Sequence, residues 1–163
     1  MNELFAPPGT DWRPVSPALA RLRHAVLLVV GGVLLAALAG VVMLLSLPWG
    51  LWLPVLAVVV GLLVWAWFAI SRNARSWGYA EREEDLYVTH GATFRQLVVV
   101  PYGRMQYVDV QAGPLEQAFK VASVHLHTAS PGTSARIPGL PASEAARLRD
   151  RLTALGESQA AGL

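Results

Sequence analysis

From Ala25 to Ile70 the chain carries no Asp, Glu, Lys or Arg. A stretch of that length without charge offers water no polar face. A helix needs only about 20 apolar residues to cross the hydrocarbon core of a bilayer. The stretch divides at Pro48-Trp49-Gly50 into Ala25–Leu47, where only Ser46 is polar, and Leu51–Ile70. Each part is long enough to span. A single helix would have to run through Pro48 and Pro54, and proline removes a helical hydrogen bond and clashes with the preceding turn. The pattern therefore predicts a transmembrane helical hairpin with a tight, uncharged turn. Pro54 is expected in the first turn of the second helix, where its missing N–H does least harm. Two buried core helices or a cleaved signal peptide fit less well, because the runs are long and the second follows at once.

The flanks set an orientation. Arg13, Arg21 and Arg23 precede the first run, Arg72 and Arg75 follow the second, and the turn has no Lys or Arg. Basic residues accumulate on the cytoplasmic side. Both termini are thus expected inside, in a multi-pass protein of the cell inner (plasma) membrane. Trp49 and Trp52 would lie at the outer interface, and Trp65, Trp67 and Trp77 near the inner one. Residues 21–76 form the expected anchor. Gly32, Ala36 and Gly40 recur every four residues along one stripe, with Ala57 and Gly61 on the second helix. Small residues let helices approach closely in lipid. The stripes are expected to face each other within the hairpin; the alternative is an outward stripe that receives another subunit. Residues 1–20, with Pro7, Pro8, Pro14 and Pro17, are expected to be extended and mobile, with Trp12 placed to dip into the interface.

Beyond Ser71 the composition is that of a soluble domain. The low charged fraction of 15% and apolar fraction of 54% are set by the two runs. A net charge of +2 and the lack of a basic face interleaved with aromatics argue against nucleic acid as a partner. The absence of cysteine excludes disulfides, thiolate metal sites and thiol nucleophiles.

From Trp77 to Pro138 the pattern has period two. Leu86 and Val88 alternate with Tyr87 and Thr89, and Gly91 suits a turn. Strands are expected at Phe94–Val100, Met105–Ala112, Ser123–Thr128 and Ala135–Ile137, broken at Pro101-Tyr102-Gly103, Gly113-Pro114 and Pro131-Gly132. Short strands with frequent turn signals indicate a sandwich or small barrel. After Pro141 the period becomes helical: Ala145, Leu148, Leu152 and Leu155 share one face, Glu144 suits the first turn, and Gly156 reads as a stop. The reading is an α+β membrane protein, with a soluble domain over residues 77–156 and a disordered tail over 157–163.

The run from Val100 to Val110, then Gly113-Pro114-Leu115-Glu116, resembles the core signature of the bacterial membrane-anchored PH-domain proteins, the second bacterial PH type. Phe119, Ala122, Thr128-Ala129 and Ile137-Pro138-Gly139-Leu140 continue it, and the two spans and Trp77-Gly78-Tyr79 fit the same arrangement. The resemblance implies a pleckstrin-homology-like fold, in which two packed antiparallel sheets are closed by a C-terminal helix. It also implies a membrane-associated scaffold or interaction role. The chain departs from the pattern at Gln117 and Lys120, where the family more often has Arg and Gly. Met105 replaces a usual Ile.

No motif for catalysis stands out: there is no phosphate-binding glycine loop, no His-Glu-x-x-His and no triad pattern. His125 and His127 share a strand face and could supply two zinc ligands. A third would have to come from His90 or Asp109, so they read as exposed imidazoles. Glu81, Glu83, Glu84 and Asp85 read as a solvated loop before Leu86. Phosphoinositide-binding PH domains place Lys and Arg in the corresponding loop, and acids there argue against a phosphoinositide site. Arg104, Gln106 and Asp109, with Gln117 and Lys120, form the candidate partner surface; the alternative for the first group is an Arg that stabilises the turn and an Asp that ties down a neighbouring loop. On a regular strand Arg104 and Gln106 share one side and Asp109 the other. The expected function is a non-enzymatic, membrane-anchored interaction or scaffold protein. It would use no cofactor and would present its PH-like domain to a protein partner, either a sister PH-domain protein or a larger membrane complex. The alternative is an accessory subunit acting mainly through its transmembrane helices.

Overall fold

The computed structural model describes residues 10–46, 48–129 and 134–161. The expected turn at Pro131-Gly132, the prolines at 7 and 8 and the last residue of the first run, Leu47, lie outside them. The chain divides into a helical unit, Ala20–Arg72, and a β-rich unit made of Met1–Leu19 with Asn73–Leu163.

The helical unit is the expected hairpin. Helix α1 runs Ala18–Leu45 and α2 runs Trp49–Arg75. Both are long and apolar enough to cross a membrane, and their spanning windows are almost wholly exposed. That exposure separates them from the core helices of a soluble protein. Helix α2 begins earlier than its apolar run, so Pro54 lies inside the helix and not in its first turn.

The helices meet along Leu27, Gly31, Leu35, Leu38 and Val42 on one side and Trp52, Leu56, Val59, Leu63 and Ala66 on the other, the more protected positions of each. Spacings of three and four are those of a helix pair packed along its length. Gly31 is the closest approach: a Cβ there would stand 3.0 Å from Leu63 Cδ2. The stripe expected at this seam is elsewhere. Gly32, Ala36, Gly40, Ala57 and Gly61 are exposed, and a Cβ at any of the three glycines would meet nothing within 4 Å. Neighbouring helical positions differ by about 100°, so reading Gly32 in place of Gly31 turns the stripe outward.

In the β-rich unit, β1 (Arg13–Pro14), β2 (Gly78–Glu81), β3 (Asp85–His90) and β4 (Gln96–Pro101) form one antiparallel sheet in that order. A 3₁₀ turn, Tyr102–Arg104, leads to the second sheet: β5 (Met105–Gln111), β6 (Val121–Thr128) and β7 (Ala135–Pro141), also antiparallel. A short helix, α3 (Pro114–Ala118), joins β5 to β6, and α4 (Ala142–Ala161) follows β7. The α+β, PH-like architecture is as expected. Leu86, Val88 and Val100 of the first sheet, Val124, Leu126, Ile137 and Leu140 of the second, and Ala145, Leu148 and Leu152 of α4 form one core. Each such leucine contributes about 1.5–3 kcal/mol on burial.

Two boundaries differ from the expectation. Helix α4 continues through Gly156, where a side chain would come within 3.7 Å of Met105 Cε and 3.8 Å of the Tyr102 carbonyl. Those are ordinary contact distances; Gly156 does not stop the helix, and the tail expected from 157 is helical to Ala161.

The N-terminal segment is the larger difference. Arg13 and Pro14 pair with Tyr79 and Gly78, Val15 and Leu19 are buried in the core, and the Ser16 N–H donates to the Gly139 carbonyl at 3.1 Å. The Trp12 ring lies 6.5 Å from that of Tyr87. Residues 10–17 are outside any helix, and from Arg13 on they are part of the domain. Prolines that read as loop also suit an edge strand, where one face of the backbone needs no donor. The hairpin is therefore inserted between the first and second strands of one sheet.

Candidate functional site

Glu81 leaves the loop to which the sequence assigned it. As the last residue of β2 its side chain is 7% exposed, and three arginines reach it: Arg147, Arg151 through Nε at 3.1 Å and Arg13 at 3.8 Å. Glu144, in the first turn of α4, accepts from Arg147 at 2.7 Å, Arg13 at 3.3 Å and the Tyr79 hydroxyl at 2.6 Å. The hydrogen bonds from Arg147 dominate and hold Glu144 at about 2, against its burial. Burial first, then the neighbouring Glu144, pushes Tyr79 up to about 12. The cluster ties β1, β2 and α4 together. Its ion pairs and hydrogen bonds run between these elements, which makes it a clasp within the domain.

Glu83 and Glu84 keep the expected loop character, Asp85 opens β3, and with Asp11 they border a polar cleft of about 490 Å³. Arg82, the basic residue of that loop, is engaged by Tyr87: it donates to the hydroxyl at 3.1 Å and lies 5.2 Å from the ring centre. Acids around the cleft disfavour a phosphate.

The second sheet carries the rest. Tyr107 and His127 stack with ring centres 4.2 Å apart, and His125 pairs across from Asp109 on one side and Arg136 on the other. Burial, then Arg136, lowers the His125 pKa. His90 is on β3 of the other sheet, stacked on Trp77 at 4.7 Å. Among the described residues no group of three or more His, Cys, Asp or Glu is placed to hold a metal. Over this sheet, Glu116 of α3 accepts from the Ser123 hydroxyl at 2.9 Å and from the Gly113 N–H at 2.9 Å.

Strand β5 is an edge strand, paired with β6 alone. Its register slips between Met105 and Tyr107, which makes Gln106 the extra residue of a bulge. The bulge reverses the alternation. Met105, Val108 and Val110 all pack on the core, while Gln106 and Tyr107 are both exposed, Tyr107 by 57%. The sides expected of a regular strand therefore do not hold here. Beside this edge, Met105, Gln106, Tyr107 and Val108 form one wall of a groove of about 330 Å³, and Leu152, Thr153, Gly156 and Glu157 of α4 form the other.

The five candidate surface residues have separate local roles. Arg104 ends the 3₁₀ turn, and Gln106 lines the groove. Asp109 accepts from Gln111 at 2.8 Å, and Gln117 donates to the Ala112 carbonyl at 2.9 Å. Lys120 sits at φ 55° in the turn after α3. Sequence reasoning missed the α4 wall of the groove, because Gly156 read as the end of the helix. The signal for Tyr107 was its place in a strand whose other apolar residues are all on the core.

Residues 25–155 match the bacterial PH domain family, over α1 from Ala25 onward, all of α2 and all of the domain except its residues before Ala20 and the end of α4. The chain belongs to that family. It is also 37% identical over 79 residues to the transmembrane protein YdbS of Bacillus subtilis (strain 168). That alignment covers 48% of this chain and 48% of YdbS, so the chain spans about half the length of the curated relative it matches. No solved structure matches. This bacterial PH-domain protein thus combines a family domain with a hairpin of membrane-spanning length, and the segment that completes its first sheet precedes the region matched to the family.

Proposed function

We propose that the chain is a membrane-anchored, non-enzymatic interaction module that presents its PH-like domain to a protein partner at the cytoplasmic face of the inner membrane. One observation carries the reading: β1 and β2 pair in a single sheet although the whole hairpin lies between them in sequence. That pairing supports a topology with both ends of the hairpin on one side of the bilayer, and the flanking arginines favour the cytoplasmic side. Exposed Tyr107 and Leu115 on and beside β5 supply apolar contact area of the kind found at interfaces. The acidic 83–85 stretch supports a protein, and not a phosphoinositide, as the ligand.

A second reading, an accessory subunit acting through its helices, is favoured by the outward Gly32-Ala36-Gly40 stripe. The two separate on affinity purification of the full chain from solubilised native membranes, followed by mass spectrometry. A companion protein is expected to persist when an unrelated hairpin replaces residues 20–72, and to be lost with Tyr107→Glu and Leu115→Glu combined. A companion that follows the hairpin supports the second reading. No companion contradicts both.

A further inference from the structure

The edge of β5 that faces away from β6 is the most distinctive surface of the domain. From Tyr107 to Gln111 the register with β6 is regular. A regular antiparallel strand directs half of its N–H and C=O groups to each side. Among the described residues no strand or loop pairs with the outer side of this stretch. Long unguarded edges are a hazard that proteins usually cover or charge. Here the edge is flanked by α4, with a groove between them.

The groove has a distinct chemistry. Met105 and Val108 supply apolar surface, Gly156 keeps the helix wall low, and Glu157 is its one charged lining residue. An entering main chain would find unpaired partners along β5, an apolar seat for one side chain and a carboxylate for a basic one. A helix, about 10 Å across with its side chains, brings no main-chain hydrogen bonds to the strand. The edge of a second copy would bring its neighbouring strands up against α4. A single extended segment meets neither obstacle.

Resting on the reading of the domain as a protein-recognition module, we propose that the β5–α4 groove takes one extended segment of a partner protein. The segment pairs main chain to main chain with β5, seats an apolar side chain against Met105 and Val108, and places a Lys or Arg opposite Glu157. Strand addition of this kind takes affinity from main-chain bonds and selectivity from alternate side chains.

The test uses the full chain in lipid nanodiscs, panned against a displayed library of random peptides. Enriched peptides are expected to alternate apolar and polar residues and to contain a basic position. Backbone N-methylation of a synthetic enriched peptide should weaken binding by about tenfold or more at every second residue and leave the others nearly unaffected. Glu157→Lys should remove the preference for the basic residue, and Thr153→Trp should block binding. Both positions are exposed on α4, and circular dichroism checks that each variant keeps its fold. No enrichment, uniform tolerance of N-methylation, or a dimer or bound lipid displaced by Thr153→Trp in place of a peptide would overturn the proposal. If a companion purified from native membranes is retained equally by wild type and Thr153→Trp, the groove assignment fails while the interaction role stands. If no companion is found and no peptide binds, both fail.

Discussion

Gly139 and Leu19 touch through backbone and side chain: a Cβ built on Gly139 would lie 2.5 Å from Leu19 Cβ, and Gly139 has φ 70°. The contact joins a residue that precedes the hairpin to the last strand of the domain. It accounts for a glycine in the middle of β7, where glycine normally weakens a strand.

Gly139→Ala should therefore lower stability by about 2–4 kcal/mol, the sum of left-handed strain and overpacking. Leu19→Ala should cost about 2–5 kcal/mol through the cavity it leaves. A fragment beginning at Gly78 should not unfold cooperatively, whereas residues 10–19 joined to 73–161 by a flexible linker should. Thermal melts followed by circular dichroism distinguish them. A cooperative melt of the Gly78 fragment at the same temperature would show that the N-terminal strand is dispensable.

The clasp sets a pH window. The folded pKa of Glu144 lies below the ordinary 4.5, at about 2. Its stabilisation is complete above pH 4.5 and is lost as pH falls towards 2. Tyr79 is raised from 10.0 to about 12, so its share is complete below pH 10 and is lost as pH rises towards 12. Between these limits the clasp itself should add no pH dependence to the melting temperature, and Glu144→Gln should flatten the limb below pH 4.5. Glu81→Gln, which breaks the most buried part of the cluster, should cost about 3 kcal/mol. An unchanged acid limb in Glu144→Gln would remove Glu144 from the account.

The strands of the domain and the hairpin were legible because each has a single strong period, two in β3 and β6 and an unbroken apolar run in α1 and α2. What escaped depends on partners distant in sequence. Arg13-Pro14 has no period of its own, and its pairing with Tyr79 spans the hairpin. Glu81 looked like its acidic neighbours, since nothing local announces that Arg147 and Arg151 reach it from α4. The bulge at Gln106 exists only relative to β6, so which faces Tyr107 and Asp109 occupy could not be read from β5 alone. Gly31 and Gly32 differ in the sequence by nothing but position, and only the facing Leu63 decides between them.

Lys120 holds a left-handed conformation, φ 55°, immediately before β6. That geometry costs an L-residue about 1–2 kcal/mol and costs glycine almost none. Lys120→Gly should stabilise the domain by about 0.5–1 kcal/mol in urea melts, because glycine's greater unfolded-state entropy offsets part of the relief. A loss of stability would mean that the Lys120 side chain makes a contribution its backbone angle does not suggest.

In the hairpin, Gly31→Leu should disrupt packing against Leu63 and lower the yield and thermal stability of the monomer in detergent. Gly32→Leu and Gly40→Leu together should leave the monomer unchanged, since both positions are open. Size-exclusion chromatography of each variant reports the state. Loss of a larger complex in the double variant alone would make the outward stripe an assembly surface.

The central claim is that one domain, split around a membrane hairpin, lies wholly in the cytoplasm. Because the chain has no cysteine, single cysteines at Asp11, Gly50 and Glu157 test it without background. In intact spheroplasts a membrane-impermeant maleimide should label Gly50→Cys, and should label Asp11→Cys and Glu157→Cys only after lysis. Labelling of Glu157→Cys before lysis would reverse the orientation. Labelling of Asp11→Cys and Glu157→Cys from opposite sides would contradict the pairing of β1 with β2 on which the account rests.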